Sequence, residues 1–207
     1  MNNPSLAGSL LQQLQGSGIQ QIASQLGVDP NQAQSAVSSA VPLLLGALGR
    51  NAQQPEGAQA LLGALQRDHA GASAGGLDLG GLLGSVLGGA STPQTDGAGI
   101  LGHIFGGNAQ QAASGLGQAT GLDSGKSGQL LQILAPIVMS FLAQRFLGGG
   151  SGSVGQLSQA LGQEHQQARA DGSVSGLLGQ VLDQDGDGQL GVGDLLKIGG
   201  SLLGGNR

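Results

Sequence analysis

The chain has 207 residues, 9% of them charged and 1% aromatic, with 43 glycines, no cysteine and a formal net charge of −5. Lack of cysteine excludes a disulfide frame, thiolate chemistry and a Cys-based zinc site, and seven scattered basic residues exclude the phosphate-neutralising patch that a nucleic-acid partner requires. The glycine content points toward low complexity, but 39% of the residues are hydrophobic and recur periodically, mostly as Leu, Ala and Val, which predicts a folded aliphatic helical core.

The opening Met1-Asn2-Asn3-Pro4-Ser5 has no basic region and no long apolar run, so no signal peptide is read and cytoplasm is the expected compartment. Leu6 to Leu14 and Ile19 to Leu26 read as short helices separated by Gly16-Ser17-Gly18. Asp29-Pro30 is a start signal, an N-cap followed by proline at the first helical position, and its helix is predicted to run to about Leu48. Pro55-Glu56 opens another, with Ala58, Leu61, Leu62 and Leu65 on one stripe. Ala70 to Gly80 is a small-residue connector, and a last short helix is expected over Gly81 to Leu87. Gly80, Gly84 and Gly88 there form a small-residue face suited to close helix packing.

The order then repeats. Gln20 to Gly27 returns as Gln110 to Gly117, Val28-Asp29 as Leu122-Asp123, Leu61 to His69 as Leu157 to His165, and Gly81 to Leu87 as Gly176 to Leu182. The offsets stay between 90 and 96 (110 minus 20; 157 minus 61). An internal duplication follows, with a first unit at 1–92 and a second at 93–207, the long helix of the second spanning Leu130 to Leu147. Pro42 and Pro136 occupy matching places in the two long helices, and each removes a backbone hydrogen bond. Ile133 to Ala143 carries only Ser140 as a polar group. It is too short to span a bilayer, so a buried central helix is predicted and no transmembrane segment. Strand-like alternation is absent.

Three catalytic look-alikes fail on context. Gly121 to Ser127 approximates a phosphate-binding loop but is one residue short and follows no strand; Asp123 or Ser124 as a helix cap explains it. Gly71-Ala72-Ser73-Ala74-Gly75 matches a nucleophile-elbow string without the strand–turn–helix that exposes the serine. His69 and His165, each preceded by an acid, lie near the ends of matched helices, where capping or dipole interaction accounts for them. His103 reads as an amphipathic surface position near Phe105.

One stretch states a chemistry. From Asp183 to Asp194 the chain reads Asp-Gln-Asp-Gly-Asp-Gly-Gln-Leu-Gly-Val-Gly-Asp. Asp183, Asp185 and Asp187 fall at positions 1, 3 and 5 of a twelve-residue loop, and Gly188 at position 6 permits the sharp turn. Gln189 offers its backbone carbonyl, Leu190 an apolar anchor, Gly191 leaves a corner for water, and Asp194 closes the loop. This resembles the EF-hand calcium-binding loop. Position 12 departs from that pattern: Asp194 is shorter than the usual Glu and reaches with one oxygen, which weakens Ca2+ and leaves Mg2+ possible. Without the four loop aspartates the net charge is −1 (−5 plus 4).

The cap–proline–helix order, Val-Pro-Leu-Leu-Leu-Gly-Ala-Leu at 41–48, Leu-Leu-Gly-Ala-Leu-Gln-Arg-Asp-His at 61–69 and the Gly-Leu-Leu-Gly-x-Val-Leu endings resemble the YidB-like family of uncharacterised bacterial proteins. The resemblance implies a compact all-α array and a bacterial source, and it carries no activity or site residues across. The expectation is an all-α protein of two tandem multi-helix arrays, ending in an EF-hand-like helix-loop-helix over 183–194. Its expected function is non-enzymatic calcium binding in an interaction or sensor module, with a protein partner or self-association. The alternative is a structural or self-assembling protein whose ion only fixes the C-terminal helix pair.

Overall fold

The computed structural model describes residues 5–68, 84, 96–148 and 153–170. Among them every regular element is helical: α1 (Leu6–Leu14), α2 (Ser17–Leu26), α3 (Pro30–Ala52), α4 (Pro55–Asp68), α5 (Gly97–Phe105), a 3-10 turn at Gly106–Asn108, α6 (Ala109–Thr120), α7 (Ser124–Leu147) and α8 (Val154–Ala170). The expected helix over Gly81 to Leu87, apart from Gly84, and the 92/93 unit boundary lie outside the described residues.

Local chemistry sets the helix starts. Ser5 Oγ accepts from Gly8 N at 3.0 Å, Asp29 Oδ1 from Asn31 N at 2.8 Å, Asp96 Oδ1 from Gly99 N at 2.9 Å and Asp123 Oδ1 from Lys126 N at 2.8 Å. Each satisfies an amide that the helix itself leaves unpaired. Gly27 (φ 61°) and Gly121 (φ 73°) end α2 and α6 in the left-handed region, where a β-carbon would be strained.

Two helices form the centre. In α7 every residue from Ile133 to Ala143 is buried, and α3 buries Leu43, Leu44 and Leu45 in succession. Runs buried on all faces belong to helices surrounded by others. α3 packs against α1, α2, α4, α5, α6, α7 and α8, while α7 packs against α2 to α6. One continuous aliphatic core results, drawn from all eight helices. α7 is long and apolar enough to cross a membrane, with a mean hydropathy of 1.6, but 72% of that window is buried inside the protein, as befits a core helix.

Both long helices exceed their expected spans, α3 for a tertiary reason and α7 chiefly for a local one. α3 continues past Leu48 to Ala52; there Asn51 Nδ2 donates to the Ile104 and His103 carbonyls at 3.0 and 3.3 Å, stitching its last turn to the end of α5. α7 begins at Ser124 rather than Leu130, although Gly125 and Gly128 disfavour a helix. Asp123 caps it, Ser127 Oγ donates to the Asp123 carbonyl at 2.9 Å, and a β-carbon placed on Gly128 would meet the Ala113 methyl of α6 at 3.7 Å.

Candidate functional site

α8 is fixed by two adjacent buried polar residues inside the helix. Glu164 lies 8% exposed and His165 7% exposed. The Glu164 carboxylate accepts from the backbone N–H groups of Leu6 and, at 3.4 Å, Ala7, so it caps the N-terminus of α1 from 157 residues away (164 minus 7). Burial raises its pKa from the ordinary carboxylate value, and the two backbone hydrogen bonds oppose that rise. His165 Nδ1 stands 3.0 Å from the Gly46 carbonyl of α3; an oxygen can only accept, so Nδ1 is the donor. Beside this pair the Leu161 carbonyl lies directly over Gly49, where a β-carbon would collide with it. At Glu164-His165 the expected interaction with the end of their own helix is not what the structure shows: the acid caps a distant helix and the histidine binds an interior carbonyl.

A second close approach joins α5 to α7. Pro136 has no N–H, so the Gln132 carbonyl lacks its helical donor. The bare α-carbon of Gly97 is set against that carbonyl, and a methyl there would strike it.

α4 and α5 bound a groove of about 510 Å³. Its floor is apolar: Leu48 of α3, Leu61 of α4, Ile100 and Ile104 of α5, and Met139 of α7. Arg67, Asp96 and His103 are polar groups on its lining. Asp96 is occupied as the α5 cap, and Arg67 Nε donates to Gly63 in its own helix at 3.2 Å. No local pattern marks this groove in the sequence, because its walls come from helices far apart in the chain.

The loop residues expected to hold a cation, Asp183, Asp185, Asp187, Gln189 and Asp194, lie outside the described residues. His69 and Ser73 lie outside them as well. Among the described residues no group of three His, Cys, Asp or Glu side chains could hold a metal ion. The phosphate-loop look-alike is a helix junction. Asp123 caps α7, and Lys126 Nζ donates to the Gly27 carbonyl at 3.2 Å, while Gln32 Nε2 donates to the Gly121 carbonyl at 3.4 Å.

No curated protein and no solved structure matches the chain. Residues 8–145 match the model of a family of bacterial proteins of unknown function, DUF937. That stretch includes the apolar segments at 41–48 and 61–69 and excludes α8 and the aspartate loop. The chain therefore belongs to DUF937, the YidB-like family of bacterial proteins.

Proposed function

We propose that the protein is a non-enzymatic calcium-binding helical module, a duplicated array that holds one divalent cation in the loop at 183–194. The observation that carries this reading is the spacing of Asp183, Asp185, Asp187, Gly188 and Asp194, which matches the geometry a hard cation needs from oxygen ligands. The duplicated reading is supported by a reciprocal pair of hydrogen bonds. Gly27 and Gly121, the left-handed ends of α2 and α6, stand 94 apart, as do Gln32 and Lys126 (121 minus 27; 126 minus 32). The helix ends thus pair Gly27 with Gly121, where the sequence match had paired it with Gly117. Gln32 reaches Gly121 and Lys126 reaches Gly27, the pattern that two equivalent units related by a twofold would make.

In this reading the ion reorients the segment that follows α8 and alters an apolar surface for a protein partner or a second copy, in the cytoplasm. One observation favours the structural alternative. α8 is pinned to α3 and α1 through Gly49, His165 and Glu164, so the last described helix before the loop is already fixed to the core. Calorimetric titration with Ca2+, followed by size-exclusion chromatography with and without the ion, tests both. A sensor exposes apolar surface or changes assembly with Ca2+; a structural site only gains stability; absence of binding removes the proposal.

A further inference from the structure

We propose that the face of α1 and α3 beneath α8 is a helix-acceptor slot, and that the partner it takes is the α8 of a second copy of this chain. This names a partner for the interaction reading above, and it stands whether or not the loop holds a cation.

α8 is held differently from the helices of the core. Its buried side chains, among those described, are Leu157, Leu161, Glu164 and His165, while Gln156, Gln159, Gln163 and Gln166 are exposed. Anchors at i, i+4, i+7 and i+8 on one stripe are the pattern of a helix laid into a groove. Ser127, Ser140, Glu164 and His165 are the buried polar side chains among the described residues, and the two ionisable ones both lie on this seam. α8 also stands outside the stretch 8–145 that matches the family, joined to α7 through Gly148-Gly149-Gly150-Ser151-Gly152-Ser153.

The slot recognises backbone and polar groups as well as shape. Gly49 admits the Leu161 carbonyl where any β-carbon would collide with it. His165 Nδ1 donates to the Gly46 carbonyl at 3.0 Å, and Glu164 accepts from the Leu6 and Ala7 amides. Three contacts at fixed spacing allow a single register. None of them has to stay dry when the helices part. The Leu6 and Ala7 amides belong to a helix start, where water can replace the carboxylate, and Glu164 regains the hydration that burial denies it. The polar groups therefore set the register, and the two leucines supply the hold.

The helix that this slot fits is α8 itself. An α8 from a second copy would make every one of these contacts unchanged, so the closed monomer and the exchanged form differ only in the connection between α7 and α8 and in the entropy of association. A segment joined through so few residues has an effective concentration on the order of mM. A dilute intact chain therefore fills its own slot first, and a copy whose own α8 cannot seat is the one that accepts another's.

The test is complementation between two full-length variants in Ca2+-containing buffer. Leu161→Asp keeps the slot and spoils the helix that fills it; Gly49→Val keeps the helix and closes the slot. Each alone should be monomeric by size-exclusion chromatography with light scattering. Mixed, they should form a 1:1 dimer, and a Gly49→Val chain that also carries Leu161→Asp should form none with the Leu161→Asp chain. Absence of the dimer overturns the proposal, as does a dimer that the doubly substituted chain still forms. Where either substitution abolishes helical circular dichroism, the wild-type chain with a protease site inserted between Gly150 and Ser151 takes its place. After cleavage, a labelled peptide of residues 153–170 in large excess should displace the chain's own C-terminal segment; retention of that segment with exclusion of the peptide overturns the proposal. The readout is assembly rather than cation binding, so failure here and failure of the loop to bind Ca2+ are separate results.

Discussion

Glu164 holds a buried carboxylate against two backbone amides, and the balance between them decides its effect on stability. Burial dominates and raises its folded-state pKa, so the folded protein takes up this proton more readily than the unfolded chain. Stability from this group is then fully present below the unfolded carboxylate value and is lost as pH rises through the raised folded value. α1 has no ionisable side chain to alter this; among the described side chains α3 carries Arg50, α4 carries Glu56 and Arg67, and His165 is the neighbour on α8. Glu164→Gln should remove that component, so that the difference in urea midpoint between wild type and variant grows in favour of the variant from pH 4 to pH 7. Gly49 is the second deciding residue. Gly49→Ala should cost about 1–3 kcal/mol by overpacking against the Leu161 backbone, measured by urea denaturation, whereas Gly63→Ala, where a β-carbon meets nothing, should stabilise α4 by up to ~1 kcal/mol.

At the scale of the element, the caps carry the helices more than propensity does. α7 begins with Ser-Gly-Lys-Ser-Gly, a poor helical start, and Asp123 supplies what the sequence lacks. Asp123→Ala should lower stability by about 1 kcal/mol, read as a fall in thermal midpoint with little change in helical circular dichroism. The order of helices was legible because caps and stripes are local: Ser5, Asp29-Pro30 and Pro55 mark starts within the residues they control. The length of α3 was not, since Arg50, Asn51 and Ala52 continue a helix only because Asn51 finds carbonyls of α5 more than fifty residues away.

The whole molecule joins its parts through non-local contacts on one aliphatic core. α8 closes onto α3 and α1, so the end of the chain before the loop is attached to its beginning. If the loop takes one cation, as the proposed function holds, calorimetry should give one site per chain, because Gly88, Ala90 and Thr92 stand where Asp183, Asp185 and Asp187 would require partners in the first unit (183 minus 88 is 95). Asp185→Ala should abolish binding, and Asp194→Glu should tighten Ca2+ through a second oxygen. Two equivalent sites, or binding unchanged in Asp185→Ala, would place the cation elsewhere. Ca2+ should also raise the thermal midpoint through mass action.

By itself the sequence determined the helical class, the helix starts of the first half and the family. These follow from apolar period, capping residues and aliphatic motifs, all readable within a few residues. It also determined the one stretch with cation-binding spacing, since that geometry is written in consecutive positions. Only the tertiary structure decided that Glu164 caps α1, that His165 binds the Gly46 carbonyl, that Gly97 covers the carbonyl Pro136 leaves bare, and that a groove opens beside Arg67. Each depends on backbones brought within contact from distant parts of the chain, and no local pattern encodes where a carbonyl freed in one helix will meet its neighbour.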